Sequence, residues 1–154
     1  MNIFEKTKLI PDALRGQLFS DPEKNGEYKF LSQFLSEKKN LIIFDVGANV
    51  GDYSEKILSL NPNVLLYCFE PVQSTFNTLS QKLDHKSNIF TFNFAFGDRA
   101  AEENIFIYGD DAGSNSLYYN QRHALLSKDL HKEKIRIETL DNFVQENNII
   151  RIDF

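Results

Sequence analysis

Asp45-Val46-Gly47-Ala48-Asn49-Val50-Gly51 is the segment whose residue types and spacing are best suited to chemistry. Gly47 and Gly51 permit backbone angles and a close ligand approach that a Cβ would forbid. The spacing departs from G-x-G-x-x-G because Asn49 stands at the second glycine, and no Gly-Lys-Ser/Thr follows as in a phosphate loop. Charge is more telling than glycine here. From Asn40 to Glu55 there is no lysine or arginine, whereas Asp45, Asp52 and Glu55 are acidic. A diphosphate would meet like charges and no side-chain cation, so the turn suits a ligand that carries positive charge.

Glu70 follows Gly51 by 19 residues, and Pro71 then turns the chain away. An acidic side chain about 20 residues beyond a glycine turn, at the carboxyl end of a strand, can accept both hydroxyls of a ribose. A ribose joined to a cation describes S-adenosylmethionine, whose sulfonium and ammonium groups favour a carboxylate-lined pocket.

These residues need strands and helices to position them. Leu41 to Val46 is a nearly continuous apolar run interrupted by Asp45, the pattern of a strand buried on both faces of a parallel sheet. Asp52 to Leu60 has helical spacing, Asn61-Pro62-Asn63 stops it, and Val64 to Glu70 reads as a second strand. Ser74 to Leu83 supplies another helix and Ile89 to Phe94 a third strand. This alternation predicts an α/β fold with a Rossmann-like, doubly wound, mostly parallel sheet. Beyond Gly97-Asp98, Asn104 to Tyr108 and Lys134 to Glu138 read as strands that either extend the sheet or pair as a β-excursion, with a loop from Gly109 to Ser116. Leu140 to Glu146 reads as a short helix, and Ile149 to Phe154 begins another apolar strand. Upstream, Tyr28, Leu31, Phe34 and Leu35 mark a helix between Gly26 and Ser36, and a further short helix is expected around Ala13 to Phe19. The expected organisation is an N-terminal helical region, 1–36, followed by the sheet-forming region, 37–154.

The 154 residues suffice for one domain with a substantial core, and 42% hydrophobic with 25% charged residues is an ordinary globular composition. Seventeen Lys and Arg against 22 Asp and Glu leave a formal net charge of −5, which argues against nucleic acid as a partner. The run Leu41 to Phe44 is far short of the roughly 20 apolar residues that span a bilayer, and Met1 to Leu9 lacks a signal-peptide core. A cytoplasmic protein without membrane contact is expected. The single cysteine, Cys68, sits in an apolar strand as an inert core thiol, and His85, His123 and His131 have no zinc-site spacing.

The segment Asp45 to Gly51 followed by Phe69-Glu70-Pro71 resembles the cofactor site of class I S-adenosylmethionine-dependent methyltransferases, in particular the FkbM family. Ala95-Phe96-Gly97-Asp98, Gly113-Ser114-Asn115-Ser116-Leu117 and Thr139-Leu140-Asp141 resemble later elements of that family in the same order. The resemblance runs from about Leu41 to the last residue. It implies that Asp45, Gly47, Asn49 and Gly51 line the methionine part of the cofactor, Glu70 the ribose and the Ala95 to Asp98 segment the adenine, with Ala48 and Pro71 also among the cofactor-binding residues. It also implies methyl transfer to a hydroxyl oxygen of a sugar or other small hydroxylated metabolite. No catalytic residue is assigned, although Asp98 and Asp141 are candidate bases on charge alone. Family members continue beyond the segment that resembles Ile152-Asp153-Phe154, so the fold is expected to be incomplete at its C-terminus, with an open strand edge that favours self-association.

Plainer readings stand beside these. Asp45 could cap backbone amides, Glu70 could be a solvated strand end, Gly47 and Gly51 could serve a tight turn without a ligand, and Gly97-Asp98 is an ordinary turn dipeptide. Phe90, Phe92, Phe94 and Phe96 alternate as core residues, and Lys128, Lys132, Lys134 and Arg136 form a solvated face. Two functional alternatives follow: a partial or non-catalytic chain that retains only cofactor binding, and an NAD-dependent oxidoreductase, which Asn49 and the acidic turn disfavour.

Overall fold

The computed structural model describes residues 21–36, 38–108, 115–119 and 129–154. The helix expected at Ala13 to Phe19, Gly113-Ser114 of the serine-containing loop, His123 and Lys128 lie outside the described residues. The chain divides into two compact units, Met1–Lys38 and Lys39–Phe154. In the first, helix α1 (Glu27–Leu35) starts after Gly26, whose φ of +94° is the left-handed region that glycine enters freely, and it buries Leu31 and Leu35.

In the second unit, β1 (Ile42–Val46), α2 (Asp52–Leu60), β2 (Leu65–Phe69), α3 (Gln73–Leu83) and β3 (Ile89–Phe92) follow one another. The three strands form a parallel sheet in the order β1-β2-β3, with Ile43 opposite Leu66 and Leu66 opposite Ile89. One face carries Ile43, Leu66 and Cys68, all fully buried. Ser54 of α2 reaches Cys68 on this face, and Thr91 of β3 donates to Asp84 just beyond α3. The other face is aromatic: Phe69, Phe94 and Phe143 form a buried cluster against which Phe44, Tyr67, Phe92 and Phe96 pack. Phe143 belongs to α4 (Leu140–Glu146) and meets Phe69 edge-on at 5.1 Å and Phe92 at 5.0 Å between ring centroids. Helices thus cover both faces of a parallel β-α-β-α-β sheet, the Rossmann-like arrangement expected from the alternation.

The even-numbered residues of β1 present their backbone groups to the edge away from β2. There the Ile42 carbonyl accepts from the Asp153 N–H at 2.8 Å and the Phe44 N–H donates to the Phe154 carbonyl at 2.9 Å. The Ile42 N–H donates to Asp153 Oδ2 at 2.8 Å. The strand expected from Ile149 to Phe154 does not form as such: only Asp153 and Phe154 bond to this edge of β1.

A second sheet has the order β4-β6-β5, where β4 is Ala95–Phe96, β5 is Ala101–Tyr108 and β6 is Leu130–Glu138. The late strands pair with each other, antiparallel from Ala101 opposite Ile137 to Tyr108 opposite Leu130, and do not extend the first sheet. Both begin earlier than their apolar alternation indicates: β5 continues through Glu102 and Glu103, with Glu102 bridging diagonally to Lys134 at 2.8 Å, and β6 through His131, Lys132 and Glu133 opposite Ile107, Phe106 and Ile105. The inward residues Ile105, Ile107, Ile135 and Ile137 build a second core around Val72. On the outer face Lys132 lies over the Phe106 ring and Arg136 over the Phe94 ring, each 4.8 Å from the centroid, so this is the solvated basic face expected.

β3 stops at Phe92, earlier than expected, because Asn93 leaves the ladder. Phe94 is still core, at 2% exposure, while Phe90 is 41% exposed at the sheet's rim and corrects its reading as a core residue. Among the described residues no helix is long and apolar enough to cross a membrane. Phe69 lies at the centre of the aromatic face, so Phe69→Ala should cost about 3–5 kcal/mol and Phe90→Ala about 1 kcal/mol or less. Urea unfolding of the two variants checks the order; a greater loss at Phe90 would put the centre of the core elsewhere.

Candidate functional site

The turn after β1 is built from three left-handed residues: Gly47 at φ +79°, Asn49 at φ +51° and Gly51 at φ +88°. Asparagine is among the few residues with a side chain that tolerate this region, which explains how Asn49 occupies a position where another glycine would serve. The Gly47 and Ala48 N–H groups both donate to the Phe69 carbonyl at 2.9 Å, pinning the turn to the end of β2. This coiling aims the Asn49 N–H at Oε2 of Glu70, 3.1 Å away.

Glu70 stands one residue beyond β2 and is only 7% exposed. Its N–H donates to the Phe92 carbonyl at 3.0 Å, continuing the ladder toward β3. Its other carboxyl oxygen, Oε1, accepts the Val72 N–H at 2.9 Å. Burial holds the Glu70 carboxyl above its ordinary pKa, the two amide donors oppose that rise, and repulsion from Glu133 and Asp45 adds to it. Gly47, Asn49, Glu70 and Pro71 line a cavity of about 260 Å³, and Val72, Ile105 and Asn115 complete its wall.

Four of the sequence-derived site residues therefore come together, and five do not. Asp45 does not line this cavity: its Oδ2 accepts from Ser54 Oγ at 2.6 Å, and that hydroxyl lies 3.1 Å from Cys68 Sγ. Burial raises the Asp45 carboxyl above its ordinary value, against the lowering effect of the Ser54 bond. The same burial pushes the Cys68 thiol up to about 12, as suits an inert core thiol. Ala48 is buried beneath the turn. Gly51 opens α2, and a Cβ there would lie 2.9 Å from Leu79 Cδ1, so this glycine lets α2 pack against α3. Ala95 is paired into β4. Asp98 lines a separate hollow of about 320 Å³ with Arg99, Glu103 and Tyr118. The expected methionine contacts of Asp45 and Gly51, the expected cofactor contact of Ala48 and the expected adenine contacts of Ala95 to Asp98 are thus not assembled around Glu70. Asp141 is exposed in the first turn of α4, where Thr139 Oγ1 accepts the Asn142 N–H at 3.2 Å as an ordinary helix cap.

Sequence reasoning missed Val72 and Ile105 on the cavity wall. Val72 contributes an N–H, which no side-chain pattern records, and Ile105 is one of several alternating apolar residues on β5. Asn115 did carry a signal, its place in the serine-containing loop, and it reaches the cavity while its Oδ1 accepts the Tyr108 N–H at 3.2 Å.

The wall is one of acceptors. A carboxylate has about four lone-pair positions, and the two amides leave each Glu70 oxygen able to accept again. Among the described residues the Asn49 Oδ1 is buried with no hydrogen-bond partner. A Cβ built on Gly47 would meet nothing within 4 Å, so the space beside this backbone is open to a ligand. The described wall carries no Lys or Arg. Such a surface fits a group that brings hydroxyl donors or positive charge, and a ribose is one; a diphosphate does not fit it.

No protein-family model matches the chain, and no curated protein matches it in sequence. Among solved structures it is similar to precorrin-6y C5,15-methyltransferase from Geobacter metallireducens GS-15, with 18% identity and a TM-score of 0.38 over 49% of this chain and 40% of that one. It is also similar to the plantazolicin methyltransferase BpumL in complex with SAH, with 22% identity and a TM-score of 0.34 over 51% of this chain and 37% of that one. A second structure of BpumL, with a triazolic desmethylPZN analog and SAH, gives 22% identity and a TM-score of 0.33 over 54% and 38%. The chain spans about two fifths of the length of these structures.

The Asp45 carboxyl binds its proton more tightly in the folded chain than in the unfolded one. Its stabilising contribution is therefore complete below the ordinary value of 3.8 and is lost as pH rises through the higher native value. Asp45→Asn keeps an acceptor for Ser54 and removes this loss. Its stability relative to the natural chain should climb as pH rises above 3.8. Urea midpoints of both chains between acid and neutral pH read this directly, and a difference that is flat with pH would contradict it.

Proposed function

We propose that this chain forms the cofactor-binding part of an S-adenosylmethionine-dependent methyltransferase of FkbM type that acts on a hydroxyl oxygen of a sugar or other small metabolite. The observation that carries the reading is the Glu70 carboxylate, held at the end of β2 by the Asn49 and Val72 N–H groups with acceptor capacity to spare beside the open backbone of Gly47. In this reading Glu70 takes the ribose hydroxyls, and Val72 and Ile105 exclude water from that side. The bound cofactor would supply an activated methyl group, which leaves the protein mainly to align an acceptor hydroxyl with it. The nature of that acceptor rests on the motif resemblance.

Glu70 is the one titratable side chain on the described cavity wall, and Asp98 and Asp141 lie elsewhere, so no proton transfer is assigned to either. That absence favours a second reading, in which the chain binds the cofactor without turning over.

Calorimetric titration with S-adenosylhomocysteine and with NAD tests the proposal, with binding expected for the first and none for the second. Glu70→Ala should weaken S-adenosylhomocysteine by about 1–3 kcal/mol through loss of charge-assisted hydrogen bonds. Binding of NAD alone would reject the reading, and unchanged affinity in a folded Glu70→Ala chain would remove the ribose from Glu70.

A further inference from the structure

We infer that Asn93 is the positioning residue of this site: by bridging the carbonyls of Glu70 and Pro71, its carboxamide sets the turn in which two backbone N–H groups converge on the Glu70 carboxylate. Asn93 Nδ2 donates to the Glu70 carbonyl at 2.9 Å and to the Pro71 carbonyl at 3.0 Å, which uses both protons of the amide. The second bond matters most. The Pro71 carbonyl and the Val72 N–H belong to one planar trans peptide unit, whose C=O and N–H point in opposite directions. Holding that carbonyl toward Asn93 aims the Val72 N–H away from it, and there it meets Oε1 of Glu70 at 2.9 Å. The first bond fixes the orientation of the preceding peptide unit, which ends in the Pro71 nitrogen and so has no N–H to aim. The Glu70 N–H is tied to the Phe92 carbonyl at 3.0 Å, one residue before Asn93, so both sides of the bridge rest on the same end of the sheet.

Asparagine is specific for this task. Aspartate has the same shape but would set acceptors against two carbonyl oxygens, and alanine would leave both without their donor. Asn93 also borders a hollow of about 480 Å³ with Gln73 and Glu133 on the far side of Pro71, so the residue is not locked inside the core.

The bridge bears on how Glu70 titrates. The groups facing it are Asp45 from β1 and Glu133 from β6, which both favour its protonated form, against the Asn49 and Val72 amides, which favour its anion. Lys134 and Arg136 of β6 stand across the hollow, Lys134 with Glu102 and Arg136 near Glu138. A Val72 N–H that swings free removes one of the two donors to the anion, so Glu70 must then hold its proton to higher pH.

The experiment follows the Glu70 carboxyl by ¹³C NMR titration in the full chain and in Asn93→Ala, Asn93→Asp and Val72→Pro. The last deletes the N–H directly at a residue whose φ of −77° suits proline. Each variant should raise the Glu70 midpoint, and Asn93→Ala should add nothing in a Val72→Pro background, because both act through one bond. S-adenosylhomocysteine affinity should fall by about tenfold in each. An unmoved midpoint in a folded Asn93 variant, or an Asn93→Ala shift that persists in full without the Val72 N–H, overturns the assignment. The ligand measurement alone depends on the proposed cofactor. If the natural chain does not bind S-adenosylhomocysteine, that reading fails while the carboxyl titration still decides the role of Asn93.

Discussion

A carboxylate buried to 7% exposure, with backbone amides in place of a cation, is the constraint around which this fold is arranged. Removing a carboxylate from water costs several kcal/mol unless donors replace the lost hydration. Glu70 finds its donors in two turns that are far apart in sequence, the one after β1 and the one after β2. The Asn49 N–H reaches it only because Gly47, Asn49 and Gly51 take left-handed angles in close succession, and the Val72 N–H only because the chain reverses at Pro71. Two strand ends of the parallel sheet are thereby tied to one side chain. The cavity beside them is the consequence, since a turn that coils back to bring its N–H groups inward leaves the Gly47 backbone open on the cavity side.

The second sheet is anchored at the same place. Val72, whose N–H meets Glu70, inserts its side chain among Ile105, Ile107, Ile135 and Ile137. The next N–H, of Gln73, donates to Glu133 of β6 at 2.7 Å. Four consecutive residues, Glu70 to Gln73, therefore carry the carboxylate, the chain reversal, the apolar anchor of the ribbon and the start of α3. Crowding these roles into one turn explains why Glu133 acts on both sides of it. Glu133 satisfies the first free N–H of α3, where a negative charge is favourable, and at the same time repels the anion of Glu70.

What was legible in the sequence were groups whose side chains do the work and elements whose apolar period is uninterrupted. Gly47, Asn49 and Glu70 could be read from type and spacing, and the strands from Leu41 and Val64 from their apolar runs. Asp45 could not be placed, because its partner Ser54 is brought to it by the packing of α2 on the sheet, and a serine nine residues away carries no mark of that bond. Gly51 reads as a ligand glycine from the motif, yet its missing Cβ serves Leu79. The ribbon was under-read because β5 and β6 continue through charged residues that break the apolar alternation, such as Glu102 and Glu103 on one and His131 to Glu133 on the other. Val72 and Asn93 were invisible for a deeper reason: one contributes a backbone N–H, which every residue but proline possesses, and the other acts on the backbone of a different strand end.

A carboxylate satisfied in this manner is not indifferent to a ligand. Its two amides compensate part of the lost hydration, while Asp45 and Glu133 work against its charge from two further elements. Hydroxyl donors or a cation entering the cavity would supply part of the remaining compensation, because Glu70 lines its wall. Each donor that arrives lowers the cost of keeping Glu70 ionised, and the same free energy appears as affinity and as added stability of the folded chain. Binding at this cavity would in this sense be linked to folding through one side chain. A site of this kind also discriminates by charge before it discriminates by shape: an anionic group would raise the cost that a hydroxylated or cationic one relieves, and the described wall offers it no Lys or Arg in return.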